Sequence, residues 1–165
     1  MYNENISKAV HLFKYQGKAC AGNSLGVLLA EFSKGWWKEN EDDCVIVPVH
    51  LSKERLRQRG FNQSLILAKH VAKAIGLHID YMSLRRTKDT PPQSLLKRDD
   101  RKKNVKNAFT VLGNGLKGKK VILVDDVATT GSTLNECAKA LKKSGAREVQ
   151  CLVLARTDPR HITPP

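Results

Sequence analysis

The chain has 165 residues, the length of about one domain. With 41% hydrophobic and 27% charged residues it is neither disordered in bulk nor built to span a membrane, since its longest uncharged stretch, Ala19–Ala30, falls short of the roughly 20 residues a spanning helix needs. Twenty-nine basic against sixteen acidic residues leave a net charge of +13, which points to anionic partners: phosphorylated small molecules, nucleic acid or, least well supported because no basic amphipathic helix has a large apolar face, an anionic membrane surface.

Ile6, Ala9, Val10 and Phe13 fall at helical spacing and predict a first helix that stops at Gly17. Leu25, Leu28, Leu29, Phe32 and Trp36 predict a second helix with that stripe in the core, Trp36 included. Cys44–Val49 is a continuous apolar run, as in a strand covered on both faces, and Pro48 withholds a ladder donor and should end it. A charged connection, Ser52–Gly60, leads to a helix opened by Asn62 and closed by Gly76, with Leu65, Ala68, Val71, Ala72 and Ile75 facing inward. Leu77–Leu84 reads as a second strand. Arg85–Asn107, rich in Lys and Arg with Pro91-Pro92 near its start, reads as a basic flexible loop. Phe109–Leu112 predicts a short strand and Val121–Val124 a strong one. A helix follows over Thr133–Ser144 with Leu134, Cys137, Ala138 and Leu141 on its face; Val149–Ala155 is the last strand, and 158–165 a tail. Strands alternating with amphipathic helices predict one α/β domain over 1–165, with a mainly parallel central sheet flanked by helices.

The chemistry concentrates in Val121–Thr133. An apolar strand ends in the adjacent carboxylates Asp125 and Asp126, and a Thr/Gly/Ser loop then opens a helix, with Thr133 and Glu136 spaced as a capping box. Ligands of open α/β sheets bind beyond the carboxyl ends of the strands, where this loop must lie. Backbone N–H groups from Thr129 to Thr133 at a positive helix end suit a phosphate, and Gly131 lets the backbone approach closely or take φ > 0. Two carboxylates one residue apart suit vicinal hydroxyls better than one metal ion. The cysteines at 20, 44, 137 and 151 form no C-x2–4-C pair; Cys44, Cys137 and Cys151 lie within apolar periods as buried small hydrophobes, and no protein-only metal site is expected. Gly113-x-Gly115-x-x-Gly118 spells a dinucleotide fingerprint, yet it precedes a strand where that motif must follow one.

The Val121–Thr133 segment resembles the motif with which type I phosphoribosyltransferases bind 5-phosphoribosyl-1-pyrophosphate (PRPP). Phe13-Lys14-Tyr15-x-Gly17, Val47-Pro48-Val49-His50 with Arg57-x-Arg59-Gly60-Phe61-Asn62-Gln63, and Arg101-x-x-Asn104-x-x-x-Ala108-Phe109 are similar to the ComF subgroup, which is linked to DNA uptake and natural competence. The resemblance implies that Thr129, Thr130, Gly131, Ser132 and Thr133 hold the 5′-phosphate. Asp125 and Asp126 would bind the ribose hydroxyls as the catalytic carboxylates, and Val49, His50 and Leu51 would handle pyrophosphate. It also implies Mg²⁺ carried mainly by substrate oxygens and water. Transfer of phosphoribose to an acceptor is the expected activity, with Arg85, Arg86, Lys88 and Arg101 as candidates for a segment that closes over the site.

Many ComF relatives carry an N-terminal cysteine-rich zinc ribbon; this chain starts almost directly at the Phe13 block and shows none. The rival reading is a single-stranded DNA binding factor that keeps the fold without turnover, with Arg55, Arg57, Arg59, Arg98, Arg101 and Lys102 as its phosphate contacts. Trp37 next to Trp36 is a weak candidate for base stacking, because aromatics are only 5% of the chain and none interleave with the basic clusters. The opening residues show neither a basic nor an apolar leader segment, so a cytoplasmic protein without membrane insertion is expected. The partners expected from the resemblance are PRPP, single-stranded DNA, a second copy as homodimer and the DNA-uptake machinery.

Overall fold

The structure, a computed structural model, describes residues 10, 12–13, 19–37, 43–88 and 105–156. Its centre is a four-stranded, all-parallel sheet in the order β2-β1-β5-β6, formed by β1 (Cys44–Pro48), β2 (His78–Ile79), β5 (Lys120–Ala128) and β6 (Glu148–Arg156). β1 lies between β2 and β5, all five of its residues are buried, and Pro48 is its last residue, as its missing N–H dictates. Register follows the apolar pattern, with Ile46 opposite Ile122 and Val47 opposite Leu123.

Alternate residues of these strands feed two cores. Ile46, Ile122, Val124 and Leu152 pack under α1 (Ala19–Trp36) and α3 (Gln63–Ile75), where Leu29, Leu67, Ala68 and Val71 close the layer. Val45, Val47, Val121 and Leu123 face α4 (Ser132–Lys143) through Leu134, Cys137 and Leu141. Coverage on both sides makes a parallel sheet stable, so truncating Ile46 or Ile122 to Ala should cost about 2–5 kcal/mol.

The inward face of α1 differs from the predicted stripe. Leu25 and Leu29 are buried, but Leu28, Phe32 and Trp36 are 56%, 63% and 41% exposed. Glycines choose the face. A Cβ on Gly22 would sit 2.4 Å from Phe13 Cε2, and one on Gly26 would sit 2.3 Å from His70 Cδ2. Helix contact made through small residues is closer, and it turns the large side chains at 28, 32 and 36 outward. Trp37 takes the core role predicted for Trp36: it packs on the cluster containing Leu29, with the Lys120 ammonium 5.7 Å from its ring.

Three other expectations change. Ser52–Gly60 contains a seven-residue helix, α2 (Lys53–Arg59), in which Ser52 Oγ caps the Arg55 N–H at 3.3 Å and Gly60 closes the end at φ 76°. None of its residues is buried, so no periodicity announced it. The strand expected over Leu77–Leu84 is cut at Asp80, whose carboxylate accepts the Met82 and Ser83 N–H groups at 2.9 and 2.8 Å and turns the chain. Leu84 instead starts β3 (Leu84–Arg86), which pairs antiparallel with β4 (Phe109–Val111). The ends of the predicted basic loop are therefore ordered, with Arg85 and Arg86 in a strand and Val105 buried, while residues 89–104 lie outside the described residues. The tail at 158–165 lies outside them too.

Cys44 and Cys137 are buried as expected, whereas Cys151 is exposed because it sits on β6, an edge of the sheet. Gly113, Gly115 and Gly118 lie in the turns that lead into β5, at the amino end of the sheet. Among the described residues no helix is long and apolar enough to cross a membrane.

Candidate functional site

Because β1, β2 and β5 run parallel, the loops that follow them open on one edge of the sheet. That edge gathers Val49–Leu51 after β1, Asp80–Ser83 after β2 and Thr129–Gly131 after β5.

β5 continues through both carboxylates to Ala128, with Asp125 opposite Val153 and Val127 opposite Ala155 of β6. The strand expected to end at Val124 thus carries Asp125 and Asp126 on its last residues, held by the ladder. Each carboxylate also grips the following peptide: Asp125 Oδ1 accepts from the Asp126 N–H at 2.9 Å, and Asp126 Oδ1 from the Val127 N–H at 2.6 Å. Asp125 Oδ1 accepts a further hydrogen bond from Ser64 Oγ at 2.9 Å. Asp125 is half-buried and Asp126 buried, with orientations fixed by backbone and helix.

The loop beyond is polar and tightly wound. Gly131 stands at φ 72° as the N-cap of α4, which begins at Ser132. A Cβ there would meet nothing within 4 Å, so the left-handed backbone, not a close approach, is what calls for glycine. Thr130 Oγ1 and Ser132 Oγ are 2.8 Å apart, and Asn135 N–H reaches Gly131 O at 2.9 Å. Thr133 is not the N-cap that a Thr133–Glu136 capping box requires, because the cap is Gly131, two residues earlier, and the helix starts at Ser132. The Glu136 carboxylate takes the Asn107 N–H at 2.9 Å and the Lys139 ammonium at 2.8 Å instead. The Lys139 bond, with that of Asn107, holds it below the ordinary carboxylate range. Thr130, Gly131, Ser132, Asn135 and Glu136 line a cavity of about 360 Å³, with Lys106 and Lys139 contributing cations. Asn135, Lys106 and Lys139 were not singled out by sequence; helical spacing from Ser132 marks Asn135 and Lys139, and nothing local marks Lys106.

The loop after β1 is built differently. Val49 N–H is spent on Val124 O at 2.9 Å, and its carbonyl accepts Asn62 Nδ2 at 3.0 Å, so Val49 holds the loop and has no N–H to offer an anion. Burial pushes the His50 imidazole below its ordinary 6.5; the charge of Arg85 adds to this, against the opposing hydrogen bond to the Tyr81 backbone and the charge of Asp80. His50 Nε2 is buried with no hydrogen-bond partner among the described residues. Leu51 is half-buried beside it. Burial would raise the neighbouring Asp80 carboxyl, but the hydrogen bonds from Ser83 and Met82 outweigh it and leave it below its ordinary value.

Of the nucleic-acid candidates, Arg55, Arg57 and Arg59 lie on α2, directly after the β1 loop, and Arg59 Nη1 donates to Gln63 Oε1 at 3.2 Å. Arg98, Arg101 and Lys102 lie outside the described residues, as do Lys14, Tyr15 and Gly17. Arg86, a closing candidate, is placed over the Phe109 ring with its guanidinium carbon 5.6 Å from the centroid.

Comparison with known proteins agrees with this geometry. Residues 62–164 match the phosphoribosyl transferase domain family. The chain is 35% identical over 159 residues to "Competence protein F" of Haemophilus influenzae, covering 94% of this chain and 69% of that one. It is 36% identical to "DNA utilization protein YhgH" of Salmonella typhimurium over the same shares, and 32% identical to "Competence protein ComFC" of Bacillus subtilis, covering 94% of this chain and 62% of the relative. In three dimensions it is similar to a Staphylococcus aureus hypoxanthine phosphoribosyltransferase at TM-score 0.54 and 14% identity, covering 87% of this chain and 69% of that one. A Bacillus subtilis glutamine PRPP amidotransferase gives TM-score 0.53 and 19% identity, covering 81% and 26%. A parallel sheet that ends in two carboxylates and a hydroxyl-rich helix start, together with these relatives, makes the chain a member of the ComF family of phosphoribosyltransferase-domain proteins.

Proposed function

We propose that the chain binds PRPP with Mg²⁺ at the carboxyl edge of its sheet and transfers the phosphoribosyl group to an acceptor nucleophile. The observation that carries this reading is the continuity of one segment: two anchored carboxylates, then a hydroxyl loop at a helix N-terminus, with a cavity beside it. Backbone N–H groups and the hydroxyls of Thr130 and Ser132 suit the 5′-phosphate, favoured by the positive end of the helix. Asp125 and Asp126 accept hydrogen bonds from the ribose hydroxyls. The bond from C1 to the pyrophosphate oxygen then breaks, its electrons leave with pyrophosphate, and the acceptor's lone pair bonds to C1. Positive charge developing on the ribose near C1 lies close to two carboxylates, and a cation such as Arg85, whose charge acts on His50 of the β1 loop, offsets charge on pyrophosphate, while Lys106 lines the cavity at the 5′-phosphate end.

Among the described residues no group of three or more His, Cys, Asp or Glu side chains is placed to hold a metal. An ion carried by PRPP oxygens and water would sit with Asp125 and Asp126 nearby, carboxylate oxygens being donors that such a hard cation takes, and it would supply charge neutralisation to the leaving group. Calorimetric titration of Mg²⁺·PRPP tests the reading. Wild type binds; Asp125→Asn/Asp126→Asn weakens binding at least about 100-fold, as expected from two hydrogen bonds to charged groups at about 1.5–3 kcal/mol each. A folded wild type that binds nothing would refute it.

A second reading is favoured by the charge of +13 and by the arginines of α2 beside the site: the chain also binds single-stranded DNA through its phosphates. Its affinity should fall steeply with salt, and Arg55→Glu/Arg57→Glu should reduce both affinity and salt slope. Affinity indifferent to salt would sink that reading.

A further inference from the structure

We infer that Asn62 and Ser64, at the start of α3, are positioning residues that tie the two halves of the PRPP site together, each serving a different half. The inference rests on the PRPP reading and adds to it residues that touch neither phosphate nor ribose. Ser64 Oγ donates to Asp125 Oδ1 at 2.9 Å and orients the carboxylate assigned to ribose. Asn62 Nδ2 donates to Val49 O at 3.0 Å and fixes the first residue of the loop assigned to pyrophosphate. Asn62 Oδ1 accepts the Ser64 N–H at 3.1 Å, so both struts spring from one helix cap.

Helix capping alone does not account for these atoms. An N-cap needs only the Asn62 oxygen, yet the amide nitrogen reaches thirteen residues back in sequence. Ser64, already inside the helix, reaches sixty-one residues forward. Gln63 and Ser64 are 1% and 2% exposed, positions where an apolar side chain would avoid the cost of burying polar atoms. Gln63 Oε1 takes Arg59, while its Nε2 is buried with no hydrogen-bond partner among the described residues, so this helix start keeps polarity at a cost to stability. Without the struts, the ribose carboxylate and the pyrophosphate loop would lose their fixed separation, which transfer at C1 requires.

The test separates the two halves. Wild type, Ser64→Ala, Ser64→Thr and Asn62→Asp are titrated with ribose 5-phosphate and, separately, with Mg²⁺·pyrophosphate. Ser64→Ala should weaken ribose 5-phosphate about tenfold, the scale of one lost hydrogen bond to a charged group, and pyrophosphate by less than about twofold. Ser64→Thr keeps the hydroxyl and restores ribose 5-phosphate binding. Asn62→Asp keeps the capping oxygen but turns an oxygen toward the Val49 carbonyl, so it should weaken pyrophosphate about tenfold and spare ribose 5-phosphate. Melting temperatures within a few degrees of wild type show that the cap survives. Equal losses for both ligands in both variants, or no loss in either, would overturn the inference alone. A wild type that binds neither ligand would overturn it together with the PRPP reading.

Discussion

The loops after β5 and β1 leave neighbouring parallel strands at the same edge, yet they are built on opposite plans. After β5, a glycine at φ 72° and the paired hydroxyls of Thr130 and Ser132 open onto a cavity. After β1, the Val49 backbone is committed on both sides, and His50 keeps a buried nitrogen without a hydrogen-bond partner among the described residues. The first loop is assembled from its own sequence and, on the proposed reading, would cradle an anion. The second is held in place from outside, by β5 and α3, and its binding groups depend on that support. A ligand that spans both meets one half made ready locally and one made ready by tertiary contacts.

The sharpest way to break the contrast is Gly131→Ala. An L-residue in the left-handed region costs about 1–2 kcal/mol, which in a chain of this size lowers the melting temperature by roughly 2–4 °C per kcal/mol. Ribose 5-phosphate affinity should fall with it while pyrophosphate affinity holds; calorimetry on both ligands checks this. Equal losses would mean that the two loops are one unit.

An effect of similar size, on stability alone, is expected at Asp80, which braces the β1 side. Asp80→Asn weakens three acceptor interactions, with Met82 N–H, Ser83 N–H and Ser83 Oγ, and should cost about 1–2 kcal/mol at neutral pH. The carboxyl titrates below its ordinary 3.8 when folded, so its stabilisation is complete above that value and lost as pH falls through the folded one. Denaturant melts of wild type and variant should therefore converge as pH falls through the folded value, below the ordinary 3.8, where the Asp80 carboxyl becomes uncharged like the amide that replaces it.

The smallest effect is at His50. Its imidazole titrates below 6.5 when folded, so between 6.5 and the folded value only the unfolded chain takes up the proton, and stability declines as pH drops through that window. His50→Gln should remove that part of the slope and leave stability at pH 8 little changed. An unchanged slope would place the titration elsewhere.

The site was more legible in the sequence than its support. Asp125 to Thr133 could be read because strand, carboxylates, hydroxyls and glycine are consecutive, and a parallel strand must deliver its loop to the ligand edge. Asn62 was legible only as a helix cap; its second bond, to Val49, and that of Ser64 to Asp125 join residues far apart in the chain and leave no local pattern. The face of α1 was misread for a related reason. Periodicity counts large apolar residues, whereas the observed contact is made through Gly22 and Gly26, whose missing side chains admit Phe13 and His70. The capping box failed because Gly131 takes the cap two residues before Thr133, a choice made by backbone geometry.

The most direct test of the central claim is the amide spectrum of ¹⁵N-labelled protein titrated with ribose 5-phosphate. The account predicts that the largest shifts fall on Thr129 to Thr133 and on Asp125 and Asp126, with the Val49–Leu51 amides moving little until pyrophosphate is added. Shifts confined to the arginines of α2, or none at millimolar ligand, would contradict it.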